Sequence, residues 1–324
     1  MPEAPPRDSA RPDIAVIGPQ RPAVLEALER HFTCHRVFEA SDPLAALRDL
    51  TARVRIRGAA SNAMAGLSRA QIEAMPDLEI CANNGVGLET SDLALCRERG
   101  IVVTTTPVLY DDVADLGMAL ALAACRRIAE GDRYVRSGRW LQARMGLGRK
   151  LTGMRVGILG LGRIGIELAR RLEGFKTEIA YVDPVPRDGV PYRRLSDAVE
   201  LARWADLLFL SAAGGPKGAN PPIVTAAVLD ALGPRGVFVN IARGWLVDEP
   251  ALVEALRGGR LGAAGLDVFY DEPEVPEGLL DLDNVVLTPH VASSTEETMG
   301  AMGDCLVANL VSWFEGKGAL TPAQ

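Results

Sequence analysis

Short apolar runs alternate with amphipathic stretches along almost the whole chain, and this alternation constrains the fold more than any other feature. Strands that alternate with helices are typical of βαβ units, which build parallel sheets. Because the runs are nearly continuous in apolar residues, helices should cover both faces of each sheet. The sequence therefore predicts an α/β fold. The predicted strands lie at 13–18, 54–60, 78–82, 101–105, 154–160, 177–183, 206–211, 236–241 and 261–266.

The chain has 324 residues, about twice the usual length of one domain. We expect two doubly wound parallel-sheet lobes of the Rossmann or flavodoxin type, with a cleft between the domains. A helical pattern runs uninterrupted over 111–130, and a glycine- and arginine-rich stretch without a clear period follows over 131–150. Loops of this length are usually functional, so this stretch is either an arm that reaches another subunit or a solvated basic loop. The helical pattern over 295–314 could pack on either lobe.

Charge and composition exclude several classes of protein. The chain carries 35 Lys and Arg against 42 Asp and Glu, a net charge of −7, so we expect no nucleic-acid partner. The longest apolar run, 116–125, is too short to span a membrane. Residues 1–13 lack the apolar stretch of a secretory signal. We therefore expect a cytoplasmic protein that does not bind membranes.

The cysteines and two of the three histidines give no sign of a metal site or a disulfide framework. The five cysteines are scattered and contain no C-x-x-C pair, which argues against disulfides and a zinc ribbon. His31 and His35 flank Cys34, but no third ligand follows at a fixed spacing. We expect reduced thiols and no bound metal.

The sharpest local signal is a predicted strand that runs directly into a glycine-spaced turn and then into a helix. The segment R-V-G-I-L-G-L-G-R-I-G covers 155–165. Gly160 permits the tight turn, Gly162 lets the backbone approach a pyrophosphate, and Gly165 allows close packing of the helix. The phosphates would lie at Arg163 and Ile164, because the unpaired N–H groups and the dipole of a helix N-terminus favour anions. The pattern predicts a dinucleotide site.

An acidic residue at the end of the next predicted strand bears on the choice of dinucleotide. Asp183 follows Gly165 at close to the ~20-residue offset at which a carboxylate receives the adenosine ribose hydroxyls. Its charge would repel the 2′-phosphate of NADP, and Pro184 and Val185 offer no guanidinium to neutralise it. NAD is therefore the expected cofactor and NADP the less favoured one. Arg187 could turn back toward a phosphate, but we interpret it as a solvated loop charge.

Three polar residues follow predicted strands in the C-terminal half of the chain. His290 comes after the apolar run 285–287, while Arg243 and Glu272 follow two earlier strands. Doubly wound folds place their chemistry at the carboxyl ends of parallel strands. Each residue alone could be structural: Arg243 an ion-pair partner, Glu272 a helix cap, His290 a packed polar residue. Together, beside a dinucleotide turn, they predict a hydride-transfer centre.

These motifs together resemble those of the D-isomer-specific 2-hydroxyacid dehydrogenases, especially the branch of glyoxylate/hydroxypyruvate reductases and hydroxyphenylpyruvate reductases. The similarity extends over nearly the whole chain. Two departures, L-E at 88–89 where relatives usually carry Tyr-Asp and Tyr110 where Thr is common, leave the substrate open. The resemblance is carried by N-G-V-G at 84–87, D-D-V-A-D at 111–115, G-L-G-R-I-G at 160–165, N-I-A-R-G at 240–244, G-L-D-V-F at 265–269, D-E-P at 271–273 and T-P-H at 288–290.

The resemblance implies a substrate domain of residues 1–105 plus 291–324 and an NAD-binding Rossmann domain of residues 106–290. The latter would include a dimerisation helix and arm at 111–150, and the protein would be a homodimer. The implied catalytic residues are Arg243, Glu272 and His290; the cofactor contacts are Gly160, Gly162, Arg163, Ile164, Gly165, Asp183, Ala242 and Asp267, the last at the nicotinamide carboxamide; the substrate carboxylate would be bound by Arg243 and the backbone N–H groups of Val86 and Gly87.

The predicted activity is the NAD(P)H-dependent reduction of a 2-oxoacid, such as glyoxylate, hydroxypyruvate or an aryl-pyruvate, to the D-2-hydroxyacid. His290 would give a proton to the keto oxygen, and Glu272 would orient its ring and favour the imidazolium. Arg243 would hold the carboxylate and the carbonyl oxygen together. The alternative is a non-enzymatic protein that senses NADH, because a fold alone does not decide function.

Overall fold

The computed structural model describes residues 11–323 and contains two sheets, in which every strand pair is parallel. The predicted α/β fold is confirmed. The described residues divide into two units, 11–109 with 295–323 and 110–294. The predicted domain limits, 105/106 and 290/291, lie close to these boundaries. Most of the segment weighed above as a secretory signal lies outside the described residues.

The first unit is a five-stranded sheet in the order β2-β1-β3-β4-β5. This is the flavodoxin-like order, in which the chain reverses direction across the sheet between β1 and β3. The C-terminal helix α12 packs against α1 and β4, so it belongs to this unit. The elements are β1 Asp13–Val16, α1 Pro22–Glu29, β2 Thr33–Arg36, α2 Pro43–Thr51, β3 Gly58–Asn62, α3 Arg69–Ala74, β4 Ile80–Asn84, α4 Leu93–Glu98, β5 Val102–Thr104 and α12 Glu296–Phe314.

Each face of this sheet has its own apolar core. Along β1, Ile14 and Val16 join a cluster with residues of α1 and α12, while Ala15 joins a cluster with residues of α2 and α3. Successive side chains of a strand point to opposite faces. The continuous apolar runs of the sequence therefore reflect strands that are buried on both sides.

The second unit is a seven-stranded sheet in the order β12-β11-β10-β9-β6-β7-β8. The order reverses between β6 and β9, which is the switch point where doubly wound sheets bind ligands outside the carboxyl ends of their strands. The elements are α5 Tyr110–Arg126, α6 Ile128–Arg136, β6 Arg155–Leu159, α7 Arg163–Glu173, β7 Glu178–Val182, β8 Arg193–Arg194, α8 Ala198–Trp204, β9 Leu207–Leu210, α9 Ala226–Leu232, β10 Val237–Asn240, α10 Glu249–Arg257, β11 Ala263–Leu266, α11 Glu277–Leu280 and β12 Val285–Leu287.

The prediction of one uninterrupted helix over 111–130 is wrong. The chain adopts a left-handed conformation at Arg127, with φ of 54°, which ends α5 and starts α6 in a new direction. Arg127 then donates to the carboxylate of Glu130, which is buried. The stretch 131–150 is also less irregular than predicted, because α6 continues to Arg136 and a single 3₁₀ turn covers Arg139–Leu141. The helical period of the sequence continues through Arg127, so it does not reveal that the backbone of this one residue is left-handed.

Over residues 11–323, no helix is both long enough and apolar enough to cross a bilayer. The same residues contain no group of three or more His, Cys, Asp or Glu side chains that could hold a metal ion. All five cysteines carry free thiols. His35 lies in β2, where its Nε2 is 2.7 Å from Oδ1 of Asp13.

Candidate active site

The glycine-spaced turn connects β6 to α7 with the geometry that a dinucleotide requires. Gly160 has a φ of 93°, and a side chain there would collide with the backbone of Ala212 on the neighbouring strand connection. A Cβ at Gly165 would collide with the carbonyl oxygen of Gly160, so the helix lies directly against the turn. By contrast, a Cβ at Gly162 would meet nothing within 4 Å. The turn is therefore closely packed at Gly160 and Gly165 and open at Gly162.

Helix α7 begins at Arg163, and its first N–H groups, those of Arg163 and Ile164 among them, have no carbonyl partners within the helix. The N–H groups and the dipole of a helix N-terminus favour anions, so these groups could bind a phosphate, and that role stays a prediction. The guanidinium of Arg163 lies over the ring of Tyr110 and donates to its hydroxyl. These groups fit a pyrophosphate.

Asp183 follows β7 and is buried beside the glycine turn. Its Oδ2 accepts the N–H of Leu161 at 2.9 Å, and its Oδ1 accepts the N–H of Val185 at 2.9 Å. The interpretation of Arg187 as a solvated loop charge is wrong, because its Nη2 lies 3.1 Å from Oδ2 of Asp183. The chain curls back after Pro184, which the spacing of four residues alone did not decide.

The loops that carry Arg243, Asp267 and His290 follow β10, β11 and β12, which are three neighbouring strands of the parallel sheet. Since neighbouring parallel strands end at one edge, these loops lie side by side at the edge that also carries the glycine turn. Glu272 reaches the same place from the loop after β11. The structure thus brings Arg243, Glu272 and His290 together.

His290 and Glu272 form a close pair. Nδ1 of His290 lies 2.6 Å from Oε2 of Glu272, while Oε1 of Glu272 accepts the N–H of Phe269 at 3.0 Å. Burial would raise the pKa of Glu272, but the hydrogen bonds from His290 and Phe269 and the positive charge of Arg243 outweigh it and lower that pKa. The carboxylate is therefore ionised at neutral pH and fixes the orientation of the imidazole.

Asp267 anchors the loop that presents His290, a role that sequence reasoning missed. Its carboxylate is fully buried and accepts hydrogen bonds from Thr288 Oγ1 at 2.6 Å, from Val291 N at 2.9 Å and from Ala292 N at 3.0 Å. His290 itself has a φ of 51° and donates its N–H to the carbonyl oxygen of Asp267 at 2.8 Å. A positive φ is uncommon outside glycine, and these bonds hold it. A contact of Asp267 with the nicotinamide carboxamide stays a prediction.

Two further residues hold the backbone of the loop that carries Arg243. The buried side chain of Asn240 accepts the N–H of Ala242 at 3.0 Å and donates to the carbonyl oxygen of Arg243 at 3.1 Å. A side chain at Gly244 would collide with the backbone between Phe269 and Tyr270. The missing Cβ therefore allows the Arg243 loop to lie directly on the Glu272 loop. The sequence signal that could have indicated this anchor is an Asn at the end of an apolar strand, because a polar side chain buried there needs hydrogen-bond partners.

Val86 and Gly87, in the first unit, lie in the loop after β4. Gly85 has a φ of 130° and donates its N–H to Thr106 Oγ1 at 2.8 Å, while the buried amide of Asn83 donates to the carbonyl oxygen of Gly87 at 3.1 Å. In the residues that the structure describes, neither the N–H of Val86 nor that of Gly87 donates to another protein group. These two donors could therefore bind a carboxylate, and that role stays a prediction.

Replacing Glu272 with glutamine should change how stability depends on pH. Because the folded-state pKa lies below the ordinary value of 4.5, the carboxylate stabilises the fold fully above pH 4.5 and loses this contribution as the pH falls through the lower folded value. Urea unfolding from pH 7 to pH 3.5 should show Glu272→Gln less stable than the wild type at pH 7, with the gap closing at the acid end. Glu274→Gln, at an exposed carboxylate nearby, should show no such convergence. A constant gap over the whole range would contradict the assignment.

Filling the open side of the turn should weaken dinucleotide binding without unfolding the protein. The side chain of Gly162→Val would occupy the space in which a pyrophosphate approaches the backbone, and we expect NADH affinity to fall by about tenfold or more, the value of one charge-assisted hydrogen bond. Gly174→Val, at the opposite end of α7, is the matched control and should keep its affinity. The dissociation constants from NADH fluorescence and the thermal midpoints check both statements. Equal affinities in the two variants would place the dinucleotide elsewhere.

The chain is similar to a known protein family and to proteins of known sequence. The model of the D-isomer specific 2-hydroxyacid dehydrogenase NAD binding domain matches residues 118–292. The hydroxyphenylpyruvate reductase of Plectranthus scutellarioides is 49% identical over 268 residues, which cover 82% of this chain and 85% of that protein. The matched family segment includes the glycine turn, Asp183 and the loops of Arg243, Glu272 and His290.

Two solved structures are similar over almost the full length. The 2-hydroxyacid dehydrogenase of Ketogulonicigenium vulgare Y25 has a TM-score of 0.91 and 47% identity, and the match covers 97% of this chain and 99% of that one. The NADPH-dependent glyoxylate/hydroxypyruvate reductase of Sinorhizobium meliloti, solved with NADP and malonate, has a TM-score of 0.86 and 41% identity, with 97% of each chain covered. The similarity therefore extends over both units.

Proposed function

This chain belongs to the D-isomer specific 2-hydroxyacid dehydrogenase family, and from that premise we propose that it reduces glyoxylate, hydroxypyruvate or an aryl-pyruvate to the D-2-hydroxyacid. Its reaction class is the NAD(P)H-dependent reduction of a 2-oxoacid. The observation that carries the assignment to this site is the 2.6 Å pair of His290 and Glu272 at the sheet edge that also bears the Arg243 loop and the glycine turn.

The residues present fit a nicotinamide dinucleotide. Gly160 and Gly165 allow close packing of the turn and the helix, Gly162 leaves open space beside the turn, and the N–H groups of Arg163 and Ile164 at the start of α7 are proposed to bind the phosphates. When bound, the reduced nicotinamide supplies the hydride. Ala242, just after β10, and Asp267 are proposed to lie along the nicotinamide half.

The proton comes from His290. Because Nδ1 faces Glu272, Nε2 is the ring atom left to hold a proton toward the substrate's keto oxygen. Glu272 holds Nδ1 at 2.6 Å and so fixes the orientation of the ring before the transfer. The exposed position of His290 lets its ring exchange protons with water between turnovers.

Arg243 is proposed to bind the substrate. The planar guanidinium can bond a carboxylate oxygen and the keto oxygen together, and it stabilises the negative charge that develops on the keto oxygen during reduction. The N–H groups of Val86 and Gly87 are proposed to bind the other carboxylate oxygen. This division explains how a protein of net charge −7 could bind an anion, since the positive potential is local.

A substrate panel tests the proposal. Oxidation of NADH and NADPH, followed by the absorbance of the reduced nicotinamide, should occur with glyoxylate, hydroxypyruvate or 4-hydroxyphenylpyruvate, and chiral chromatography should identify the D product. Tight dinucleotide binding without turnover on any 2-oxoacid would favour the alternative, a protein that senses NADH. Pyruvate and oxaloacetate complete the panel as 2-oxoacids of different size and charge.

We further propose a homodimer in the cytoplasm. Support for the dimer comes from the apolar side chains that α6 and the following stretch leave exposed, because contiguous exposed apolar surface marks interfaces. Support for the cytoplasm comes from the five free thiols. Light scattering after gel filtration should give twice the chain mass of 34.5 kDa. The exposed fractions are 56% for Ile128, 57% for Val135, 66% for Trp140, 93% for Leu141 and 95% for Leu147.

A further inference from the structure

Two consecutive backbone N–H groups just before Glu272 each donate to a carboxylate. The N–H of Phe269 donates to Oε1 of Glu272 itself at 3.0 Å. The N–H of Tyr270 donates to Oε1 of Glu249, which lies 21 residues earlier in the chain, at 2.8 Å. The first carboxylate is the one that pairs with His290, whereas the second has no role in the reaction proposed above. Glu249 therefore anchors the Glu272 loop from another element.

Glu249 is itself held in place, because it is the first residue of α10. The preceding residue, Asp248, caps this helix by accepting the N–H of Ala251 at 3.1 Å, and its own N–H donates to the carbonyl oxygen of Val224 at 2.9 Å. Pro250 follows at the second helical position and restricts the backbone there. The anchor thus belongs to a helix start whose backbone is fixed on both sides of Glu249.

The loop after β10 packs against the same stretch of backbone that Glu249 holds. A Cβ at Gly244 would collide with the carbonyl group of Phe269 and with the nitrogen of Tyr270. Little space is therefore left for this peptide to move toward Gly244. Because Glu272 follows only two residues after Tyr270, a shift of the peptide in any other direction would move the Glu272 carboxylate relative to His290.

The charges around Glu249 are unfavourable for a residue that serves stability alone. Burial, above all, and the negative charges of Asp271 and Glu272 raise the pKa of Glu249. The N–H of Tyr270 and the ammonium of Lys217 offset this only in part, and Lys217 is itself paired with Asp271, with Nζ 2.5 Å from Oδ1. A carboxylate is nonetheless the stronger acceptor, since hydrogen bonds to ionised groups are roughly twice as strong as neutral ones. This position therefore favours a firm hold on the N–H of Tyr270.

We propose that Glu249 is a positioning residue, which fixes the Glu272 loop through the N–H of Tyr270 and so keeps the Glu272 carboxylate at Nδ1 of His290. This inference rests on the proposed function in one respect: it takes His290 and Glu272 as the pair that handles the proton. It adds a residue that acts on that pair from α10, through the backbone.

The first test observes the imidazole of His290 and requires no substrate. Because Nδ1 lies 2.6 Å from an ionised carboxylate oxygen, the neutral ring carries its proton on Nδ1, whereas a ring without this partner is a mixture of both tautomers. The chain has three histidines, so the ring-nitrogen NMR signals of protein made with isotope-labelled histidine are assigned by the loss of one set in His290→Asn. At about pH 9, where imidazoles are neutral, we expect the Nδ1–H tautomer in the wild type and a mixture in Glu249→Ala.

Two further variants separate the lost hydrogen bond from other effects. Glu249→Gln keeps a side-chain oxygen that can accept the N–H of Tyr270, so it should keep the Nδ1–H tautomer. Glu254→Ala removes a carboxylate from an exposed position of the same helix and is the matched control. If Glu249→Ala does not fold by thermal melting, Glu249→Asp takes its place, because it keeps the charge at the helix start but is one methylene shorter and should give the same mixture.

The second readout is the separation of kcat from KM. A misplacement of about 1 Å can cost about a hundredfold in rate, so we expect kcat of Glu249→Ala to fall about 10- to 100-fold. KM for the 2-oxoacid should change by less than about threefold, because Asn240 holds the backbone of the Arg243 loop independently of Glu249. Glu249→Gln should recover kcat to within about threefold of the wild type.

The tautomer of His290 decides the outcome. The inference is supported if Glu249→Ala gives the mixture while the wild type, Glu249→Gln and Glu254→Ala give the Nδ1–H tautomer. An unchanged tautomer in Glu249→Ala, or a mixture in any of the other three proteins, overturns it, and the proposed function then stands or falls on the substrate panel alone. If the tautomers are as expected but no 2-oxoacid is reduced, the positioning by Glu249 is supported and the proposed function fails.

Discussion

His290→Asn is expected to lower kcat by about a hundred- to ten-thousand-fold, the usual contribution of general acid catalysis. Asparagine is close in size and can still donate a hydrogen bond, but it cannot release a proton to the keto oxygen. The side chain lies at the surface of its loop, and Asp267 holds that loop through Thr288, Val291 and Ala292. The fold and the affinity for NADH or NADPH should therefore be unchanged.

The chain offers a matched control for this variant. His35 is also paired with a carboxylate, with Nε2 2.7 Å from Oδ1 of Asp13, but it lies in β2 of the other unit. His35→Asn should keep full turnover. Steady-state rates on the best 2-oxoacid, together with dinucleotide binding, decide the matter. If His290→Asn retained more than about a tenth of the wild-type kcat, a loss below the range for a general acid, the proton would have to come from another group.

Arg243→Lys is expected to reduce kcat/KM by about a hundred- to a thousand-fold, in line with the loss of one preorganised donor to a developing oxyanion. The substitution keeps the positive charge, but an ammonium is a point charge that cannot reach the carboxylate and the keto oxygen in one plane. Because the guanidinium serves binding and the transition state together, KM should rise while kcat falls.

Arg257→Lys, at the exposed end of α10, is the corresponding control and should behave like the wild type. Arg243→Ala should be worse than Arg243→Lys, since it also removes the charge. The measurement is kcat and KM on the same 2-oxoacid, with dinucleotide affinity as a check on the site's integrity. Near wild-type kcat/KM in Arg243→Lys would show that the planar guanidinium is not required. Arg243 would then not have the proposed role of bonding the carboxylate and the keto oxygen together.

Much of the molecule could be predicted because the decisive information is local. The glycine spacing and the apolar run before it predict where the strand ends, and α7 begins at Arg163 as expected. The alternation of runs predicts parallel sheets, and parallel strands that are neighbours must end at one edge. That rule alone groups Arg243, Glu272 and His290 at the carboxyl ends of predicted strands of one sheet, before any coordinate is known.

The surroundings of those residues could not be predicted in the same way. Leu161 bonds to Asp183, and Thr288 bonds to Asp267, across about twenty residues in each case. The sequence shows the polar side chains but not which donors reach them. The direction of the Arg187 side chain likewise depends on how the chain turns after Pro184. The need for glycine at position 244 depends on the backbone of a distant loop that packs against it.

By itself the sequence determined the strand and helix periods, the glycine turn between a strand and a helix, and the candidate residues at strand ends. Each of these depends on neighbours a few positions apart in the chain. Only the tertiary structure decided that Asp183 is already neutralised, that Asp267 supports the His290 loop, and that α5 ends at Arg127. These depend on hydrogen bonds and packing between segments distant in the chain, and such contacts leave no periodic trace in the amino-acid order.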